Sequence, residues 1–307
     1  MIPSIEIIEL PSNLGLKELI PGKEPAVKKL PDWLQKNGFY DLLKPSKIYQ
    51  IIPPPYSMNF DDETQVRNAY AIIAYAQEQV PVLKKTIRPG VFTLVIGGDC
   101  SILIGNALAL KQLGNYGLFY LDGHTDYMLP ELSSTGGVAG MDLAIVTGNG
   151  HMKLTNIENC KPYIVEENVW CVGNREYDKD YVAAVENSKV KYYDLNTLRS
   201  TGIDVCVNSF LSNLEDHNLD GFWIHLDVDV LDDDLMPAVD SRTPGGLSYS
   251  ELSAILEKLI SDKKCAGLEI TILDPDLDPM GTYTVPFIHE MSTIIRNGLH
   301  AKQDTSV

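Results

Sequence analysis

The chain has 307 residues, enough for one large α/β domain or two small ones, and its 44% hydrophobic content can fill a substantial core. Its formal charge of -17, from 42 acidic and 25 basic residues, argues against nucleic acid or an anionic membrane as partner. The same charge favours a cationic substrate or bound cations, although an acidic surface also serves solubility alone.

The sequence shows no targeting or crosslinking pattern. Its first ten residues lack the basic flank and apolar run of a signal peptide, and no stretch approaches the roughly 20 apolar residues of a membrane span. The five cysteines include no Cys-x-x-Cys pair. We therefore expect a soluble protein of the reducing cytoplasm.

Apolar runs rich in β-branched and aromatic residues alternate along the chain with segments of helical patterning. The runs predict strands at residues 4–10, 91–98, 116–123, 168–174, 190–195, 221–230 and 265–272. The helical segments lie at 62–85 and 249–262. Near-continuous apolar strands covered by helices predict a mostly parallel sheet in a three-layer αβα sandwich. We predict that residues 1–307 form a single domain.

Ionisable residues follow two of these strands at a spacing of two. One set is Asp122, His124 and Asp126, and the other is Asp227 and Asp229. In an extended chain this spacing puts each set on one face. Any one of them alone would more often be a cap or turn residue. Two sets at the ends of core strands, where open α/β sheets bind ligands, predict a bound cation instead.

Cys100 lies in the turn Gly-Gly-Asp-Cys-Ser at 97–101, where it could be a metal ligand, a packed thiol or a nucleophile. Together with the five groups above it offers more ligands than one four-coordinate ion uses. Two ions bridged by shared carboxylates would use them all, and such a pair activates water for hydrolysis. A nucleophilic thiol would need a neighbouring base, and the nearest candidate, His124, is already assigned to a metal.

Five motifs occur in an order and spacing that resemble the arginase and agmatinase family, the ureohydrolases. They are GGDCS at 97–101, DGHTD at 122–126, LDVDVLDDD at 226–234, TPGGLSYSEL at 243–252 and GLEITILDP at 267–275. Members of this family hydrolyse guanidino groups with a binuclear metal centre. The resemblance implies an arginase-like fold, a cationic small-molecule substrate, and a homo-oligomer that is a trimer or hexamer.

The resemblance also implies a metal-ligand set of two bridging carboxylates and two completing pairs. These are Asp122 with Asp227, Cys100 with Asp126, and His124 with Asp229. Asp126 would also orient or deprotonate the attacking water. Two divalent ions are implied, most often Mn2+ in this family, while a thiolate ligand makes Zn2+, Co2+ or Ni2+ possible.

Three acids match the family's substrate-binding positions. Glu269 matches the acid that pairs with the guanidinium, and its apolar strand requires that the charge face the site or meet a buried partner. Glu176 and Asp178 match acids that help arginases bind the amino end of the substrate, although Glu176 could instead pair with Arg175.

The chain departs from the family pattern in ways that affect function. Cys100 and Ala139 each replace a histidine, and Met128 replaces an asparagine that holds the substrate carboxylate in arginases. The sequence therefore predicts a hydrolase of linear guanidines or amidines, with a substrate other than plain arginine and no identified proton donor. The alternative is a catalytically silent relative that acts as a binding or regulatory subunit.

His225 is predicted to be a hydrogen-bonded core histidine, or else a partner of a metal ligand or a substitute acid–base group.

Overall fold

The computed structural model of the chain describes residues 2–304. Within this range ten strands are β1 Ser4–Leu10, β2 Lys47–Gln50, β3 Phe60–Asp61, β4 Val66–Arg67, β5 Val91–Gly97, β6 Tyr116–Leu121, β7 Val169–Val172, β8 Lys191–Tyr193, β9 Gly221–Asp227 and β10 Cys265–Thr271. Eleven α-helices are α1 Leu30–Lys36, α2 Phe39–Leu43, α3 Ala69–Thr86, α4 Leu103–Leu113, α5 Asp142–Val146, α6 Met152–Thr155, α7 Lys179–Glu186, α8 Leu195–Thr201, α9 Ile203–Asp216, α10 Tyr249–Ser261 and α11 Thr284–Asp304.

Eight of the strands form one sheet in the order β2-β1-β5-β10-β9-β6-β7-β8. Every pairing in it is parallel. The four central strands β5, β10, β9 and β6 therefore end at the same edge, and one of the motifs identified in the sequence spans or follows the end of each. The predicted three-layer α/β fold with a parallel sheet is confirmed.

Alternating strand residues supply the two cores on either side of the sheet. In β6, Phe119 and Leu121 belong to one buried cluster, and Leu118 and Tyr120 belong to the other. Tyr120 carries a buried hydroxyl, which points to the carboxylates of Asp126 and Asp142 beyond the strand end. Both faces of the sheet are covered by these two cores. The sequences of the central strands are therefore continuous apolar runs.

Two features differ from the sequence prediction. The helix expected at 62–85 begins only at Ala69, because a two-stranded antiparallel hairpin of β3 and β4 precedes it. Asn68 joins the hairpin to the helix with a left-handed backbone, φ 56°, and its side chain donates to the Leu14 carbonyl. The short edge strand β2 was not predicted, because its mostly exposed Lys-Ile-Tyr-Gln sequence has too little apolar patterning.

No helix between residues 2 and 304 is long and apolar enough to cross a bilayer.

Helix α10 begins with a capping box that also contains an ion pair. Ser248 accepts from the Glu251 backbone N–H, the Glu251 carboxylate accepts from the Ser248 backbone N–H, and Arg199 binds the same carboxylate through two nitrogens at 2.8 and 3.0 Å. The Arg199 hydrogen bonds lower the pKa of Glu251 to about 2. Folding therefore favours the ionised form of Glu251.

We expect Glu251→Gln to lower the free energy of unfolding by about 1 kcal/mol at pH 7, since glutamine keeps the capping bond and loses the ion pair. The depressed pKa means that this stabilisation is complete above about pH 4.5 and is lost as the pH falls towards 2. Urea denaturation at pH 7, 5 and 3.5 should show the difference in unfolding free energy between wild type and variant becoming smaller at the lowest pH. Glu290→Gln, at an exposed position on α11, is the matched control. A gap that stays constant into acid would contradict the ion-pair account.

Candidate metal centre

Three of the central strands end in the same kind of turn. In each, an aspartate just after or at the strand end accepts a hydrogen bond from the backbone N–H two residues further on. The pairs are Asp99 with Ser101 at 2.9 Å, Asp122 with His124 at 2.6 Å, and Asp227 with Asp229 at 2.8 Å. These turns, and not an extended backbone as expected from the sequence, direct the side chains to one place.

Asp122, His124 and Asp229 form one candidate metal site. Their ligand atoms all lie within 4.8 Å of one another. His124 Nδ1 is 2.8 Å from Asp229 Oδ2, and the other oxygen of Asp229 accepts from the Gly123 N–H at 2.9 Å. The structure thus brings together the predicted pair His124 and Asp229 with the predicted bridging carboxylate Asp122.

The electrostatics of this cluster call for added positive charge. Burial and the charges of Asp229 and Asp122 raise the pKa of Asp227 well above its usual range, and burial and the charge of Asp122 do the same for Asp126. Burial would lower the pKa of His124, but Asp229 and Asp122 outweigh it and raise that pKa. The buried Asp122 Oδ2 has no hydrogen-bond partner. These oxygen and nitrogen donors fit divalent cations.

Cys100 is buried at the same edge. Its Sγ lies 3.0 Å from Asp227 Oδ2, to which it donates, and 3.2 Å from Thr271 Oγ1. Burial and then the charge of Asp227 raise the pKa of the thiol well above its usual range. Reactive cysteines lie in electropositive surroundings, and this one faces carboxylates, so the nucleophile interpretation gains no support. Cys100 Sγ instead lies within 4.8 Å of ligand atoms of Asp122 and His225, forming a second candidate metal group.

Asp126 occupies an unusual position between the candidate metal site and the core. Its backbone is left-handed, with φ 42°, and its Oδ2 lies 3.0 Å from the Tyr120 hydroxyl. The same hydroxyl is 3.0 Å from Asp142 Oδ1. Asp126 borders the cavity described next, but neither group of three ligand atoms includes it. Its predicted role as a metal ligand stays a prediction.

A cavity of about 180 Å³ opens over these residues. Its described lining consists of Leu16, Cys100, His124, Asp126, Met128, Ala139, Gly140, Tyr181, Asp227, Asp229, Asp240, Ser241 and Ile272. Asp240 is the one acid among them that lies outside the predicted ligand set. Burial, with the charge of Asp229, raises its pKa to about 6. Sequence reasoning missed Asp240, which lies in an irregular loop with no periodic pattern.

Glu269 does not line this cavity, contrary to its expected contact with a substrate guanidinium. It is fully buried in the middle of β10, where its carboxylate is 2.5 Å from His225 Nδ1 and also accepts from the Asn106 side chain. The alternative raised from the sequence, a buried partner for the charge, is what the structure shows. Ile272, one residue beyond the strand end, reaches the cavity in its place, with φ 78°.

Glu176 and Asp178 lie at the outer rim of the site, beside His124, Tyr181 and Arg242. One Asp178 oxygen caps α7 by accepting from the N–H groups of residues 180 and 181. Arg175 does not pair with Glu176 but donates to the Thr243 carbonyl at 2.8 and 3.0 Å. Glu176 is therefore free of the alternative partner considered from the sequence.

The fold and the site define an αβα protein with a carboxylate-rich candidate metal centre at the carboxyl ends of a parallel sheet. Comparison with known proteins assigns the class: the Arginase family profile matches residues 45–293, and the chain belongs to this family. It is 29% identical over 277 residues to the arginase of Staphylococcus aureus strain COL, covering 90% of this chain and 91% of that one. It is 31% identical over 218 residues to the arginase of Bacillus subtilis strain 168, covering 71% and 73% of the two chains. The arginase structure from Bacillus caldovelox superposes with a TM-score of 0.84 at 25% identity, covering 95% of this chain and 98% of that one.

Proposed function

We propose that this chain is a metal-dependent hydrolase that breaks a carbon–nitrogen bond of a guanidine or amidine other than plain arginine. The observation that carries the proposal is the convergence of Asp122, His124 and Asp229 beneath a solvent-reaching cavity, in a chain of the arginase family. Asp227 and Cys100 border the same cavity. We further propose two divalent ions and homo-oligomeric assembly, both from the family resemblance.

The ions, when bound, would supply an activated water and stabilise the charge that develops on the attacked carbon's substituents. Asp122 and Asp227 would hold them with the completing ligands, and Asp126, at the cavity wall, would orient or deprotonate the water. Glu176 and Asp178 would receive the cationic far end of a substrate at the rim. Met128 and Ile272 make part of the cavity wall apolar, which favours a substrate that differs from arginine.

The departing amine needs a proton, and Ala139 cannot supply one. Asp240 lines the same cavity and is the one carboxyl group there outside the predicted ligand set. Burial, then the charge of Asp229, raises its pKa to about 6, so it keeps a proton to a higher pH than an ordinary aspartate does. We therefore assign proton donation to Asp240. Its carboxylate form can alternatively pair with a cationic substrate, and the two roles separate kinetically, because the first acts on kcat and the second on KM.

The test is a screen for release of urea, ammonia or amine from guanidines, hydroxyguanidines and formimino compounds, with Mn2+, Zn2+ or Co2+ added. We expect turnover of at least one compound and its loss in Asp229→Asn, while Asp204→Asn, the same change at an exposed ion pair with Lys258, keeps full turnover. Asp240→Asn should lower kcat about 10²-fold. Unchanged kcat would remove Asp240 as donor.

A silent relative that binds a ligand without hydrolysing it is the second candidate function. Ala139 at the cavity wall and the thiol of Cys100 are the observations that favour it, since each replaces a histidine of the family pattern. No turnover across the whole panel, in protein shown to contain its ions, would establish this candidate in place of the hydrolase.

A further inference from the structure

His225, on β9, has one ring nitrogen fixed and the other without a partner. The side chain is fully buried, and its Nδ1 is bound to the Glu269 carboxylate at 2.5 Å. Its Nε2 has no hydrogen-bond partner. Buried polar atoms are rarely left unpaired, because burial without a partner forfeits the hydrogen bonds that the atom makes with water. An unpaired imidazole nitrogen beside the candidate metal centre therefore indicates that this nitrogen binds a partner such as a metal ion.

Two neighbours lock the orientation of this ring. Tyr120 stacks on it with ring centroids 4.3 Å apart and planes inclined by 4°. Glu269 is itself anchored by the side-chain amide of Asn106 on α4. A carboxylate on one imidazole nitrogen with the other nitrogen directed at a cation is the arrangement that orients metal-binding histidines in proteins. The surroundings of His225 are therefore those of a metal ligand.

The available nitrogen has suitable partners. A His225 ring nitrogen, Cys100 Sγ and an Asp122 carboxylate oxygen lie within 4.8 Å of one another. Metal–ligand bonds of about 2.0–2.3 Å place the ligand atoms of a tetrahedral ion roughly 3.5 Å apart, so a small contraction closes this group around an ion. The buried Asp122 Oδ2 also has no partner. Two buried residues that each carry an unpaired atom thus lie close to a thiol.

We propose that His225 binds a divalent ion through Nε2 together with Cys100 and Asp122, and that Glu269 is its positioning residue. The inference rests on the proposed metal centre but not on any hydrolytic activity. On binding, the Cys100 thiol releases its proton to solvent and the sulfur lone pair forms the metal bond.

The two ions then have different ligand chemistry. Sulfur, imidazole and carboxylate suit a zinc-like ion, whereas the group of Asp122, His124 and Asp229 has oxygen ligands and one imidazole and suits a harder ion such as manganese. Asp122 belongs to both groups and joins the two sites. The centre is therefore inferred to hold two unlike metals.

Cobalt(II) added to metal-free protein is the probe, because a cobalt–thiolate bond absorbs in the near ultraviolet. His225→Asn keeps an amide that can donate to Glu269 in place of Nδ1 and removes Nε2. We expect this variant to weaken the thiolate-absorbing site at least 100-fold and to leave the other site unchanged. Glu269→Gln should weaken the same site 10- to 100-fold. His124→Asn, the matched control, should lose the other ion and keep the thiolate absorption.

A measurement on the wild-type protein makes the test independent of whether the variants fold. Zinc added to protein with nitrogen-15-labelled histidines should shift the ring nitrogens of two of its six histidines, His124 and His225. The inference is overturned if only one histidine shifts, or if folded His225→Asn binds cobalt with unchanged affinity and spectrum. Ions that bind as described without any hydrolysis would refute the proposed function and leave this inference standing.

Discussion

Asp122→Asn is expected to abolish binding of both metal ions while leaving the protein folded. Asp122 contributes an oxygen to each of the two candidate groups, so its neutralisation weakens both sites at once. The asparagine Oδ1 can still accept the His124 N–H, as Asp122 Oδ1 does at 2.6 Å, so the turn should persist. Removal of one negative charge from this group of closely spaced buried carboxylates reduces their mutual repulsion when no metal is bound.

The substitution is expected to change thermal stability in opposite directions with and without metal, and this makes the prediction specific. Metal at about 1,000 times its Kd stabilises the wild type by about 4 kcal/mol, and the variant should lose that increment. Without metal the variant should unfold at a temperature no lower than the wild type. Elemental analysis and thermal unfolding measure the two effects. Asp142→Asn, a buried neighbour outside the predicted ligand set, should keep both ions. Two ions retained by Asp122→Asn would contradict the bridging role.

The second large effect is expected at Gly98, in the turn before Cys100. A Cβ at this position would lie 1.7 Å from the Ser12 carbonyl oxygen and 2.7 Å from its carbonyl carbon, which are backbone atoms that cannot rotate away. The same segment is fixed by two further bonds, from the Ile272 N–H to the Gly98 carbonyl at 2.7 Å and from the Asp99 N–H to Ser12 at 3.2 Å. The ends of β1, β5 and β10 meet at this glycine.

We expect Gly98→Ala to cost 3 kcal/mol or more, roughly the upper end for overpacking, and to reduce metal content because Cys100 must move with the turn. Gly140→Ala is the matched control: a Cβ there meets nothing within 4 Å, and its effect should stay within about 0.5 kcal/mol. Urea unfolding of the three proteins gives the comparison. A Gly98→Ala protein within 1 kcal/mol of wild type would show that the strand ends can separate freely.

The sequence predicted the sheet because both faces of its central strands are buried and their residues are apolar throughout. It also predicted Cys100, Asp122, His124 and Asp229 as metal ligands, because ionisable groups are expensive beside buried strands unless they share a cation, and the structure places all four at one edge of the sheet. The backbone that unites them was not predictable from spacing. The aspartates form turns by accepting the second N–H along the chain, a local bond that competes with the extended conformation.

The surroundings of the remaining site residues were not predictable for one physical reason. Contacts between residues far apart in the chain produce no recognisable pattern in a single sequence. The sequence predicts that Glu269 contacts the substrate, but this residue lies within strand β10. Ile272, just beyond the strand end at Thr271, is the residue of this segment that lines the cavity. The carboxylate turns instead to His225, 44 positions away. Asp240 reaches the site from a loop whose path is set by tertiary packing, and no periodicity in that loop indicated its position.

The fully buried pair of His225 and Glu269 also constrains how this protein can diverge. An apolar replacement of either residue alone removes the buried hydrogen-bond partner that it supplies to the other, at a cost of about 3–5 kcal/mol, a large part of a typical folding free energy. Replacement of both by well-packed apolar residues is close to neutral for stability once Asn106, which donates to Glu269, has also been replaced. Two stable sequences are thus separated by unstable single mutants. Under selection for a folded protein, the two codons will change together or not at all.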